Sequence, residues 1–110
     1  MKVVARVPRS EVEAGKLLRL DYPPFDVVLT MVGDKPMAIE DACNHAGASL
    51  AEGDINGERI MCPLHGYVFS MKSGELIVPR GLCGPQRTFR AEIEGDEIVV
   101  YDDVLVELRL

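Results

Sequence analysis

Short apolar stretches, broken every few residues by Gly, Pro or Asp, set the pattern of this chain. Val27-Val28-Leu29-Thr30-Met31-Val32 is the strongest of them, and its β-branched content predicts a strand. Gly33-Asp34-Lys35 predicts a hairpin turn into a second strand over residues 37–40. Residues 2–7 read as a strand stopped by Pro8, and residues 17–20, 58–61, 67–70 and 76–78 as four more. From 87 to 94, Phe89, Ala91 and Ile93 alternate with polar residues, the period of a strand with one wet face. Gly95-Asp96 turns the chain into a strand over 97–101, and the alternation of residues 104–110 predicts an edge strand. Ser10 followed by Glu13 is a capping-box pattern, so one helical turn is expected there. Residues 43–57 follow neither period and carry Gly47, Gly53 and Gly57, which reads as loop. Many short strands with frequent turns predict an all-β fold, an antiparallel sandwich or small barrel. With 110 residues and no interior linker, one domain is expected.

Charge narrows the partners. Twelve Lys and Arg against 18 Asp and Glu leave a net charge of -6. That balance argues against nucleic acid, whose binding draws on clustered cations, and against an anionic membrane surface. It suits a partner with a basic docking face. No run approaches the ~20 apolar residues of a membrane span. The N-terminal apolar stretch is shorter than a signal-peptide core, so a soluble, cytoplasmic protein is expected. Three cysteines, an odd number, do not form a disulfide framework. In a reducing compartment such residues serve more often as ligands or catalysts.

The chain has two histidines, and each follows a cysteine closely: Cys43-Asn44-His45 and Cys62-Pro63-Leu64-His65. Two loops, each offering one thiolate and one imidazole, make a four-ligand metal site. Four readings stand. The residues are unrelated, each cysteine a small buried hydrophobe. They bind structural zinc, although zinc modules usually group Cys with Cys and His with His. One pair is a Cys–His nucleophile, which leaves the other pair unexplained. Or two cysteines bind one iron and two histidines a second.

The last arrangement is that of the Rieske family, which the chain resembles. Residues 43–50, CNHAGASL, resemble its first loop, C-x-H-x-G-x-x-L; residues 62–69, CPLHGYVF, resemble its second, C-P-x-H-G-x-x-F. Ser73-Gly74 fits the turn that follows, and the strand pattern is similar from about residue 2 to 101. The resemblance implies the Rieske fold: one domain over residues 1–110, with a sandwich or barrel base and a small cluster-binding subdomain near residues 41–80. It implies a [2Fe–2S] cluster as cofactor, Cys43 and Cys62 on the buried iron and His45 and His65 on the outer one. Neutral imidazoles in place of thiolates raise the potential of such a centre. Gly47 and Gly66 would let the backbone approach the cluster, and Pro79 with residues 81–85 would form a third loop over it.

Departures select a branch. Respiratory Rieske proteins carry a disulfide whose positions match Ala48 and Leu64 here, so that bond cannot form. Their Ser and Tyr hydroxyls to the cluster match Tyr67 and Phe69, which implies fewer donors and a lower potential. The chain is too short for a catalytic oxygenase subunit. It is most similar to the soluble ferredoxins of bacterial aromatic-ring-hydroxylating oxygenase systems. That implies an electron carrier, not an enzyme, passing one electron from a flavin-dependent reductase to a terminal oxygenase. The exposed tip would comprise His45, Ala46, Gly47, Leu64, His65 and Gly66. The alternative is a non-redox module, zinc-stapled or a small regulatory subunit of a reductase. Cys83 reads as a packed residue, and the Ser10 cap, the acidic residues 92–97 and Asp102-Asp103 as solvated surface.

Overall fold

The computed structural model describes residues 2–43, 47–64, 66–79, 81 and 83–103. Its strands are β1 (Lys2–Pro8), β2 (Leu18–Leu20), β3 (Val27–Val32), β4 (Lys35–Glu40), β5 (Asp54–Asn56), β6 (Arg59–Met61), β7 (Val68–Ser70), β8 (Leu76–Val78), β9 (Thr88–Glu94) and β10 (Glu97–Asp102). Two sheets result, one ordered β1-β10-β9-β4-β3-β2 and one ordered β5-β6-β7-β8. Neighbouring strands pair antiparallel throughout.

Each sheet belongs to its own core. Val7, Leu20, Val27, Leu29, Met31, Ala38, Phe89, Ile98 and Val100 form the first. Strands from both ends of the larger sheet contribute to it, so that sheet rolls around a single interior. The second core gathers Leu50, Ile60, Phe69, Met71 and Leu76 with Cys43 and Cys62, and it takes Val28 and Ile39 from the far face of β3 and β4. β3 therefore has no wet face, which explains why its sequence runs apolar without alternation. β9, wet on one side, alternates as its sequence predicts.

Three expectations change. The helical turn near Ser10 exists as a 3₁₀ turn, Arg9–Glu11, but Pro8 precedes it and no side chain caps it. The Arg9 N–H instead donates to the Asp96 carbonyl at 2.7 Å, so the turn starts as soon as β1 ends. The stretch 43–57 is not all loop: it holds a 3₁₀ turn, Leu50–Glu52, and β5. Glycine at 53 makes this possible, because a Cβ there would stand 1.9 Å from the Met61 carbonyl oxygen. Asp102 is buried rather than solvated, its carboxylate taking bonds from the Tyr22 hydroxyl and the Arg87 guanidinium. The strand expected over residues 104–110 lies outside the described residues.

Candidate metal centre

Two loops of matching construction carry the cysteines. In the first, the Cys43 N–H donates to the Ala48 carbonyl at 2.9 Å; in the second, the Cys62 N–H donates to the Tyr67 carbonyl at 2.7 Å. Both closures span the same number of residues. Ala42 bridges Ser49 at the base of the first loop, and Met61 pairs with Val68 at the base of the second. The fourth residue after each cysteine is a glycine in the left-handed region, Gly47 at φ 73 and Gly66 at φ 68. Side chains other than Asn and Asp rarely adopt that conformation, so glycine is favoured in both.

The loops bring two thiols together. Cys43 is 3% exposed and Cys62 1%, neither is in a disulfide, and the two hydrogen-bond to each other. Burial pushes the Cys62 thiol up, the Leu64 N–H donating to its sulfur pulls it down, and Cys43 pushes it up again. Left to itself the Cys62 thiol keeps its proton; a cation bound at its sulfur would reverse that balance. Two touching thiols in an apolar shell, one already receiving a main-chain N–H, fit an iron held by cysteine sulfur. His45 and His65 lie outside the described residues.

The first loop is braced from below by residues that the sequence pattern does not single out. Asp41 is buried, and its Oδ1 accepts the Ser49 hydroxyl and the Ala51 N–H, each at 2.9 Å. Its main chain donates to the Asp26 carbonyl at 3.0 Å and accepts from the Leu50 N–H at 2.8 Å. Arg19 stands 3.6 Å from its other oxygen. A single acidic residue before a cysteine carries no signal of this in sequence. Cys83 packs against the same core, and burial with the nearby Cys43 pushes its thiol up. Phe25, 54% exposed, lines a cleft of about 280 Å³ with Glu40, Ala42, Cys43 and Gly47. It stands beside the first loop, while Leu64, 44% exposed, stands on the second.

Residues 2–83 match the family model described as the Rieske [2Fe-2S] domain. The chain belongs to the Rieske family. Its cofactor is accordingly a Rieske [2Fe–2S] cluster. It is 32% identical to the ferredoxin component of biphenyl 2,3-dioxygenase from Rhodococcus jostii strain RHA1, over 83% of this chain and 84% of that one. Among solved structures, the ferredoxin of carbazole 1,9a-dioxygenase from Nocardioides aromaticivorans IC177 superposes with a TM-score of 0.82 at 27% identity, covering 94% of the Rieske chain and all of its own. A chain in the complex of reduced oxygenase and oxidized ferredoxin of carbazole 1,9a-dioxygenase superposes at 0.77 with 31% identity, over 86% and 97% of the two chains.

Proposed function

We propose that Cys43 and Cys62 hold the buried iron of the cluster and that His45 and His65 hold the outer one, within a single domain whose cluster-binding part spans about residues 41–80. The observation that carries this is the contact between two buried thiols at the ends of matching loops. Bound there, the cluster supplies one-electron redox chemistry at a potential raised by its imidazole ligands. The chain does the rest. Its apolar shell of Leu50, Phe69, Met71 and Leu76 keeps water from the cysteine side. The Leu64 N–H donates to the Cys62 sulfur and so stabilises negative charge there. Leu64 itself is exposed on the second loop and offers an apolar contact for a partner.

The protein is an electron carrier of an oxygenase system rather than a catalyst, as its relatives' names indicate. It delivers electrons to a terminal oxygenase, a reading supported by the similarity to a chain in a complex of oxygenase and ferredoxin. A flavin-dependent reductase is its proposed donor and the cytoplasm its proposed compartment. Among the described residues no helix is long and apolar enough to cross a membrane. The test is spectroscopic. Protein purified from cells should be brown, and one-electron reduction should yield the paramagnetic resonance signal of a mixed-ligand [2Fe–2S] centre. Colourless protein with one zinc per chain would overturn the assignment.

A further inference from the structure

Gln86 is a polar side chain in an apolar place. It is 2% exposed, between the irregular stretch after β8 and the start of β9. A buried amide is stable only when its donors and acceptors are met. Its Nε2 donates to the Glu40 carbonyl at 2.8 Å and also to the Ala42 carbonyl. Only the NH₂ end of the side chain can serve two carbonyls, which settles its orientation. The main chain around it works in the same direction: the Glu40 N–H donates to the Arg87 carbonyl at 2.8 Å. The last residues before Cys43 are thus held by one amide and one backbone bond.

The same residue also grips the other cysteine's side of the molecule. The Gln86 N–H donates to the Gly74 carbonyl at 2.7 Å, and the Gly74 N–H donates to the Ser70 carbonyl at 2.8 Å. Ser70 ends β7, the strand that leaves the Cys62 loop. A Cβ on Gly74 would lie 1.9 Å from the Gln86 carbonyl oxygen, so the approach is as close as the backbone permits. Resting on the assignment of Cys43 and Cys62 as cluster ligands, we propose that Gln86 is a positioning residue: it clasps the segment entering the first loop to the turn beyond the second, and thereby sets how Cys43 meets Cys62.

Gln86→Met and Gln86→Glu test this in the cluster-loaded protein. Methionine keeps the volume and removes both donors; glutamate keeps the shape and cannot supply two N–H bonds. Each leaves the part-buried carbonyls of Glu40 and Ala42 short of a partner. Cluster release to an iron chelator should accelerate about tenfold, the factor that about 1.4 kcal/mol of lost hydrogen bonding is worth. Hydrogen exchange across residues 40–52 should quicken more than exchange in β1 and β10. The g-values and reduction potential of the remaining loaded protein should shift, which a merely structural residue would not cause. Unchanged release, g-values and potential in both variants, with a brown wild type, overturn the role of Gln86 alone. Faster release in proportion to a general loss of thermal stability, with g-values and potential unmoved, overturns it equally. A colourless wild type overturns the ligand assignment beneath it.

Discussion

Cys62 shows how little a residue's type decides and how much its surroundings do. A cysteine at 1% exposure is ordinarily an inert hydrophobe, yet here it touches a second thiol and receives the Leu64 N–H. Cys43→Ser and Cys62→Ser should each abolish or sharply reduce iron binding, since an alcohol is a poor ligand where the cluster needs a thiolate. Iron and sulfide analysis of the purified variants checks this; full occupancy in either would remove that residue from the ligand set. Asp26 is a different case, a carboxylate that works through the backbone. The Tyr22 N–H at 2.9 Å and then the Arg19 guanidinium at 2.9 Å hold its carboxyl below the usual carboxylate range. A native pKa below the unfolded one makes ionised Asp26 stabilising above the ordinary carboxylate pKa; that stability is lost as pH falls through the native value. Asp26→Asn should therefore flatten the acid limb of the stability curve. Its φ of 59 is one that Asn tolerates, so the backbone should hold. Denaturant unfolding from neutral to acid pH reads the slope, and an unaltered slope would assign the effect to other carboxylates.

At the scale of elements, the molecule relies on places where two backbones nearly touch. Gly53 sets the 3₁₀ turn after the first loop against β6. Gly53→Ala should cost about 1–3 kcal/mol by overpacking. Gly84→Ala, where a Cβ meets nothing within 4 Å, should stay within about 0.5 kcal/mol. Thermal unfolding separates them, and equal midpoints would mean that the contact relaxes freely. These contacts also explain what could be read in the sequence. β3, β4 and β10 were legible as apolar runs bounded by turn residues, and β9 by its alternation over seven residues. β5 was not, since Asp54-Ile55-Asn56 has a single apolar residue between two glycines, and its partner β6 supplies the reason for the strand. The proposed ligands drew attention in the sequence because Cys and His fall at characteristic spacings inside Gly-bearing loops, and the structure brings the two cysteines of that proposal together. Asp41 and Gln86 were silent, for their partners are carbonyls and N–H groups that every residue possesses. Asp102 misled, because Tyr22 lies 80 positions away and nothing local announces the pairing.

The whole molecule carries a net charge of -6, with Glu52 and Asp54 exposed beyond the first loop and apolar Leu64 and Phe25 nearer the cysteines. Long-range attraction then falls to the carboxylates and close contact to the apolar groups. Electron-transfer rates with the partner oxygenase should fall as ionic strength rises, and Leu64→Asp should slow transfer while leaving the visible spectrum intact. Stopped-flow mixing of reduced carrier with oxidised oxygenase measures both; normal transfer by the Leu64 variant would move the docking face elsewhere. β3 links this outer face to the distant base. Val28 and Leu29 are consecutive, yet they belong to different cores. The strand is a party wall, and neither room can be vacated without exposing the other. A ligand taken up on the cysteine side therefore stabilises strands it never meets, such as β1, by mass action. Stripping the metal should lower the melting temperature of the entire chain in one transition instead of loosening one lobe.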